Sequence, residues 1–188
     1  MKNIITLALS LFICLIGFSQ NTIFTEGFEV PFEESGWTTG MSTDIQDSPT
    51  EYPGGLDPWE MWDLTMEPAY VHSGNSAAFI GGTLTLEDKY DWLISPDFTV
   101  PTEATTKINY WMWYYSTSPS YWTWLYIMVY DVAVGTWELG ELVLYKEEAR
   151  LYYSEEYSFD LSPWEGKDIK IAFVKRGTNQ TVISKDYN

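Results

Sequence analysis

The sequence predicts an all-β protein, a jelly-roll β-sandwich of two antiparallel sheets. Short stretches of alternating apolar and polar residues recur along the chain, separated by turn signals rich in Gly, Pro, Ser and Asp. No long segment has the 3.6-residue apolar period of an amphipathic helix. Many short strands with regular turn signals are typical of a sandwich.

The first residues are typical of a secretory signal peptide. Lys2 supplies the positive charge, and residues 4–18 form an apolar stretch that soon gives way to polar residues. This stretch is too short to form a stable membrane-spanning helix. We therefore expect a signal peptide over residues 1–20 and a single β-sandwich domain over residues 21–188, with no membrane span in the mature chain. The expected location is extracellular, either secreted or at the cell surface.

The strands predicted for the first half of the chain are separated by a long loop region. Residues 22–28 alternate and are predicted as the first strand, and residues 77–80 as a short apolar strand. Residues 31–58 are rich in Gly, Ser, Thr, Pro and Asp and are predicted as loops with little regular structure. Residues 91–95 and 97–100 flank a proline and form either a strand pair or one kinked strand.

The second half of the chain contains the longest predicted strands. Residues 107–115 and 122–131 are separated by a turn with Ser, Thr and Pro, so we expect these two strands to form a β-hairpin. Further strands are predicted over residues 137–145, 152–161 and 169–175, and from Val182 onward.

Aromatic residues are concentrated in the expected hairpin. Side chains alternate across a strand, so Leu125, Ile127 and Val129 share one face, and this aliphatic face suits the core. The opposite, aromatic face must then be covered by a loop, another molecule or a ligand. Flat rings beside carboxylates and amides are the groups that recognise sugars. The candidate ligand-contacting residues are Trp111, Trp113, Trp122 and Trp124.

An alternative is that residues 31–70 fold over this aromatic face and bury it. That region supplies suitable covering side chains, namely Trp37, Trp59, Met61, Trp62 and Met66. Both arrangements can hold in part, with a groove left between loop and sheet.

Charge and cysteine content disfavour several classes of function. The formal net charge is −17, from 27 acidic residues against 10 Lys and Arg residues. Nucleic acids and anionic membrane surfaces are bound by clustered Lys and Arg, so both partners are disfavoured. The only cysteine, Cys14, lies in the expected signal peptide. The mature chain therefore has no disulfide, no Cys-bound zinc and no thiol nucleophile.

No strong catalytic signature stands out. The serine-hydrolase elbow, His-rich zinc motifs and phosphate-binding loops are absent. Glycoside hydrolysis needs only two carboxylates, and acidic residues are abundant. Asp91 beside Trp92 and Glu60 between two tryptophans are the best candidates, although both have ordinary structural explanations. A carbohydrate-active enzyme is therefore an alternative to a non-catalytic module.

Several phrases of the sequence resemble one group of bacterial secreted modules. They are Phe28-Glu29, Gly36-Trp37, the run His72 to Ala77, the segment Tyr90 to Pro96 and the run Tyr157 to Phe173. Their order and spacing resemble the cleaved-adhesin (gingipain-type adhesin) and choice-of-anchor J families, which are jelly-roll sandwiches similar to MAM domains. The resemblance implies a non-catalytic binding or adhesion module that recognises an extracellular glycan or a matrix or host protein. A structural component of a cell-surface assembly is a second alternative.

The resemblance also implies a bound calcium ion that stabilises the fold. In the resembling modules, the metal lies where the first and last strands meet a loop near a His-x-Gly-Asn-Ser phrase. Carried over by position, the ligands are Glu29, Asn75 and Asp186, and such oxygen ligands suit calcium. The family usually has an Asp-Asp pair in its last strand, and Lys185 replaces the first member here. Without a metal, Glu29 would cap a loop and Asp186 would be a solvated residue.

Overall fold

The structure is a computed structural model that describes residues 28–52, 59–63, 74–80, 89–102, 105–115, 123–146, 153–177 and 180–185. Over these residues two antiparallel sheets pack face to face, and the predicted all-β sandwich is confirmed. The expected signal peptide and residues 22–27 of the predicted first strand lie outside the described residues.

The first sheet, sheet A, contains the strands from which the candidate site is built. Its strands are β1 Thr38–Ser42, β4 Tyr90–Ile94, β5 Phe98–Thr99, β7 Thr123–Asp131, β8 Thr136–Lys146 and β10 Asp168–Gly177. The order across the sheet is β1-β4-β10-β7-β8, with β5 also paired to β10. Strand β10 is therefore central and has neighbours on both sides.

The second sheet, sheet B, closes the sandwich. Its strands are β2 Trp59–Asp63, β3 Ser76–Ile80, β6 Lys107–Tyr115, β9 Tyr153–Asp160 and β11 Gln180–Lys185, in the order β2-β3-β11-β6-β9. A short helix, α1 Phe32–Ser35, and a 3-10 turn, Ser162–Trp164, complete the described elements. Neither of these helical segments is long and apolar enough to cross a membrane.

Strands β6 and β7 do not form the expected hairpin. Strand β6 pairs with β9 and β11 in sheet B, whereas β7 pairs with β8 and β10 in sheet A. The hairpin prediction was wrong because turn residues indicate where a strand ends and not which strand it will pair with. The chain instead passes from one sheet to the other between β6 and β7.

The region expected to be loops contributes both structure and core. Helix α1 and strand β1 lie within residues 31–58, and β1 pairs with β4. Trp37 and Trp59, expected as cover for an outer face, are core residues that are 4% and 2% exposed. Met61 also packs against the core, while Met66 lies outside the described residues. The covering role predicted for this region is therefore wrong for Trp37 and Trp59.

The core lies between the sheets and follows the predicted alternation. Leu125, Ile127 and Val129 of β7 are fully buried in it, as expected from their aliphatic face. Sheet A also contributes Leu93, Ile169, Ile171 and Phe173, and sheet B contributes Trp59, Ala78, Ile80, Tyr110, Met112 and Phe159.

Residues 90–99 form two successive strands, β4 and β5, which are interrupted around Pro96. Strands β4 and β5 follow each other along the same side of β10. Proline has no N–H to donate to the neighbouring strand, and Ser95 continues the hydrogen bonding to β10 through its backbone N–H and its hydroxyl. Its backbone N–H donates to the Ile171 carbonyl at 2.9 Å, and its Oγ accepts from the Ile171 N–H at 3.0 Å.

A buried charged pair lies at one end of the core. Lys175 has no exposed surface, and its cross-strand neighbour Asp91 is 6% exposed. Asp91 Oδ1 accepts a hydrogen bond from the Tyr52 hydroxyl at 3.0 Å. Burial lowers the pKa of Lys175 to about 8, although the negative charge of Asp91 acts to raise it.

This pair predicts a pH-dependent stability. Unfolding returns the pKa of Lys175 to its ordinary value of 10.5, so between about pH 8 and that value the unfolded chain binds more protons than the folded chain. The free energy of unfolding should therefore rise with pH across this window, by up to about 3 kcal/mol. In the double variant Lys175→Met/Asp91→Leu the rise should disappear, with neutral-pH stability kept or increased, because an apolar pair replaces a buried ion pair.

Urea unfolding measured between about pH 7 and pH 10 checks this prediction. Lys107→Met is the control, because Lys107 is an exposed lysine on sheet B and its loss should leave the rise intact. An equal rise in the double variant and in the wild type would contradict the assignment to Lys175.

Candidate functional site

The predicted ligand-contacting tryptophans do not share one surface. Trp111 alternates with buried core residues of β6 and lies on the outer side of sheet B. Trp124 alternates with those of β7 and lies on the outer side of sheet A, so the two rings are on opposite sides of the molecule. The side chain of Trp113 and the whole of Trp122 lie outside the described residues. Ligand contact by these four residues stays a prediction.

The outer side of sheet A carries a group of half-buried rings that we call the aromatic face. Its members are Tyr90 of β4, Trp124, Tyr126 and Tyr130 of β7, and Trp137 of β8. They lie around a buried apolar floor made of Trp92, Ile94, Met128, Ala172 and Val174. Ile45, from the loop after β1, packs against the floor. The outer side of sheet A is thus apolar at its base and aromatic at its surface.

The rings of the aromatic face are fixed by contacts with one another. Trp137 packs on the floor residue Trp92 with a centroid distance of 5.0 Å and on Tyr130 at 5.1 Å. Tyr90 and Tyr126 lie 6.3 Å apart. The Trp92 indole N–H in turn donates to Ser42 Oγ at 2.9 Å. Rings held in this way lose little freedom when a ligand binds.

A cation is held between two rings of the face. The Arg176 guanidinium of β10 lies 5.3 Å from the Tyr90 ring centroid and 5.2 Å from that of Trp124. Burial raises the pKa of Tyr126, and so does neighbouring Tyr90, while the charge of Arg176 acts to lower it. Tyr126 is therefore a neutral hydroxyl at physiological pH, able to donate and to accept hydrogen bonds.

Strand β8 extends the apolar surface to the edge of sheet A. Leu139 and Leu142 lie opposite Met128 and Tyr126 and are 58% and 48% exposed. The pairing of β8 with β7 shifts register twice over this stretch. Gly140 is the extra residue at one of these shifts, and a Cβ added to it would meet the Phe159 ring at 2.7 Å. The bulged edge thus closes against sheet B while its leucines turn outward.

Sequence reasoning found the members of this face on β7 and missed those on other strands. Trp124 was a candidate for ligand contact and was expected to share a face with Tyr126 and Tyr130, whereas Tyr90, Trp137 and Arg176 were not expected on that face. The apolar alternation from Trp137 to Leu139 was a usable signal for an outward row.

Two of the three predicted metal ligands lie together at the turn before β3. Glu29 Oε1 accepts the backbone N–H groups of Asn75 at 2.8 Å and Ser76 at 3.2 Å. Gly74 permits this approach, because its φ is +77° and an added Cβ would lie 2.1 Å from Glu29 Oε1. Glu29 therefore caps a loop, as in the metal-free alternative. The third predicted ligand, Asp186, lies outside the described residues.

The described residues contain no group of three or more His, Cys, Asp or Glu side chains placed to hold a metal ion. A calcium site at this turn would therefore need the Asn75 amide, backbone carbonyls and a group outside the described residues. Its existence stays a prediction.

The two carboxylates considered for glycoside hydrolysis lie in different sheets and do not share a surface. Asp91 is buried inside sheet A opposite Lys175. Glu60 is exposed on the outer side of β2, in the other sheet. Two carboxylates that act on one glycosidic bond must flank it, and these two do not.

Comparison with known proteins relates the chain to others by fold. No protein-family profile and no curated protein matches the sequence. The K1 cleaved adhesin domain of Lys-gingipain from Porphyromonas gingivalis has a TM-score of 0.55 and 16% identity, over 88% of this chain and 96% of that chain. The K2 cleaved adhesin domain of Lys-gingipain has a TM-score of 0.53 and 17% identity, over 86% and 96%.

A structure from the β-sandwich superfamily of carbohydrate-binding modules is also similar. Its TM-score is 0.51 and its identity is 13%, over 90% of this chain and 64% of that chain. At these identities the likeness shows the fold, a β-sandwich of the kind seen in adhesin domains and carbohydrate-binding modules. The resemblance to cleaved adhesins is thus supported at the level of the fold.

The contact of Glu29 with Gly74 predicts a specific loss of stability. Gly74→Ala places a methyl group on Glu29 Oε1, so both hydrogen bonds to the turn should be lost at a cost of about 1–3 kcal/mol. The positive φ adds about 1–2 kcal/mol. Gly135→Ala is a matched control, because Gly135 has a φ of +78° and its added Cβ would lie 3.8 Å from the Tyr130 hydroxyl oxygen, an ordinary contact.

Chemical unfolding of the two variants measures the difference. Gly74→Ala should be the less stable of the two by the energy of the lost hydrogen bonds. Equal stabilities would mean that the Glu29 contact contributes nothing.

Proposed function

We propose that this protein is a non-catalytic, extracellular binding module that recognises a glycan on the aromatic face of sheet A. The observation that carries this proposal is the set of five half-buried rings on one outer sheet face, held by packing on one another, on Trp92 and on Arg176. Aromatic rings present flat apolar surfaces of the kind on which the apolar faces of sugar rings stack. Preorganised rings make such stacking effective, because little side-chain entropy is lost.

Polar groups beside the rings supply the second half of sugar recognition. The neutral Tyr126 hydroxyl and the Arg176 guanidinium lie within the face. Hydroxyl groups of a glycan pair with such donors and acceptors, which fix orientation while the rings supply apolar contact. The similarity in fold to adhesin domains and carbohydrate-binding modules supports a binding role. The separation of Asp91 from Glu60 removes the best candidate for a hydrolytic pair.

A second candidate function is binding to a protein surface. It is favoured by the exposure of Leu139 and Leu142, since neighbouring exposed leucines suit the apolar contacts of a protein interface. Such a partner would be a matrix or host protein, or another component of a cell-surface assembly. Both candidate functions use the outer side of sheet A. They differ in the ligand, which is a glycan stacked on the rings in the first and an apolar protein surface in the second.

Glycan-array binding of wild type and two tryptophan variants tests the primary proposal. Trp124→Ala should weaken binding to glycans at least about tenfold, or about 1.4 kcal/mol, because it removes a ring of the face. Trp111→Ala is the matched control on the outer side of sheet B and should bind as wild type.

Loss of binding in Trp111→Ala alone would move the site to sheet B. The absence of glycan binding by the wild type, together with binding to an extracellular matrix protein that Leu139→Ser or Leu142→Ser abolishes, would favour the protein partner.

We further propose that calcium stabilises the fold at the turn before β3. Glu29 and Asn75 are both exposed there, and one carboxylate oxygen of Glu29 is anchored by backbone N–H groups. Anchoring of a ligating carboxylate by hydrogen bonds is common in metal sites. These two residues would supply part of the oxygen ligands of a calcium ion, which would neutralise charge and tie the turn to the segment that carries Glu29.

Thermal unfolding with calcium chloride and with a chelator checks this proposal. The melting temperature should be higher with calcium, and Glu29→Gln should lose the response because it removes the ligand charge. Glu33→Gln, on an exposed glutamate of α1, is the control and should keep it. A melting temperature unaffected by calcium or chelator would remove the metal.

A further inference from the structure

Charged side chains are sorted between the two sides of sheet A. Within residues 90–94, 124–130, 137–142 and 170–176, the outward rows hold two charged residues, Lys170 and Arg176. Both are cations, although acidic residues outnumber Lys and Arg by 27 to 10 in the chain. The outward rows of these segments thus carry only positive charge, although the protein is strongly acidic.

The acidic residues of the same strand segments lie on the other side. Asp91 is buried opposite Lys175. Glu138 accepts a hydrogen bond from the indole N–H of Trp164. Glu141 lies opposite the core residue Ile127, and its charge adds to burial in raising the pKa of Tyr110, a residue of sheet B. These carboxylates are directed away from the aromatic face, so the outward rows of these segments carry positive charge and no carboxylate.

The two cations lie near opposite ends of the face. Arg176 is held between Tyr90 and Trp124, and Lys170 lies beside Tyr130 in the strand pairing. They are six residue steps apart along an extended strand, which corresponds to about 20 Å. Because of this separation, a ligand that contacts both cations must be an elongated chain. Within the described chain, Lys170 forms no ion pair, and its ammonium donates no hydrogen bond.

Carboxylates also mark the end of the face beyond Lys170. Asp168 begins β10 and accepts a hydrogen bond from the Thr99 hydroxyl. Asp97, two residues before Thr99, is exposed. Such groups accept hydrogen bonds from sugar hydroxyls. Carboxylates elsewhere on the protein repel an acidic ligand on this face only weakly, because charge interactions are screened beyond about 8 Å at physiological ionic strength.

Building on the proposed function, we propose that the ligand is an extended acidic polysaccharide containing uronic acid residues, lying along β10 with its carboxylates on Arg176 and Lys170. A guanidinium matches a carboxylate in two parallel hydrogen bonds, and an ammonium binds it as a point charge. A carboxylate attached at the rim of a sugar leaves both ring faces free to stack, so the rings and the cations act on the same chain.

Affinity measurements with matched polymers test the charge requirement. The probes are polygalacturonate, alginate and hyaluronan, each beside its carboxyl-reduced neutral form. At least one acidic polymer should bind at least about tenfold more tightly than its neutral form. Its oligosaccharides should gain affinity with length until they span the two cations.

Charge-removing variants place the binding on the face. Arg176→Gln and Lys170→Gln should each weaken binding to the acidic polymer about tenfold, and Lys170→Gln should leave binding to any neutral glycan unchanged. Arg176→Lys keeps the charge and should retain part of the affinity. The difference in affinity between Arg176→Lys and Arg176→Gln then measures the contribution of charge, apart from the stacking of Arg176 on its two rings. Lys107→Gln, an equal charge change on sheet B, is the control and should bind as wild type. Near-UV circular dichroism of each variant reports whether the aromatic packing is intact.

The outcomes separate this inference from the proposed function. Equal binding of acidic and neutral forms, lost in Trp124→Ala, would overturn the acidic ligand and keep a glycan-binding face. Acidic-polymer binding lost in Lys107→Gln but kept in Arg176→Gln and Lys170→Gln would overturn the placement. Binding of an acidic protein segment without binding of any polymer would overturn both.

Discussion

The structure depends on one constraint, which is that the central strand β10 is apolar on both sides of sheet A. Ile169, Ile171 and Phe173 face the core between the sheets, and Ala172 and Val174 form part of the floor on the outer side. A strand buried on both faces must be covered on both, and sheet B covers only one of them. The outer cover is supplied by rings from the neighbouring strands, so the aromatic face is first a means of burying β10. Because those rings are only half-buried, they remain available to a ligand.

The same constraint explains the sorting of charge. A carboxylate on the outer row would have to lie beside buried Trp92 and Met128, where removing it from water is unfavourable. Long cationic side chains avoid this cost, because their apolar stems pack on rings while their charged ends reach water. Arg176 gains a further attraction from the faces of Tyr90 and Trp124. The outward cations of β10 are thus compatible with the floor in a way that glutamates would not be.

Local pattern was enough to predict the fold class and the core face of β7. The alternation of Leu125, Ile127 and Val129 depends only on strand geometry and was confirmed. The partners of each strand could not be predicted in this way, because pairing is a non-local property. Strands β6 and β7 follow each other along the chain and belong to different sheets. Membership of the aromatic face depends on β4 and β8 flanking β10 and β7, so Tyr90 and Trp137 were missed. The meeting of Glu29 with Asn75 was predicted from family resemblance and not from spacing.

The double register shift of β8 has a consequence for how this molecule coexists with its own copies. A long, flat edge strand carrying outward leucines would be a template on which further strands add, and such growth leads to fibres. The bulges around Gly140 break the regular row of backbone donors and acceptors along that edge. Leu139 and Leu142 can therefore stay exposed to solvent while the backbone beside them resists polymerisation.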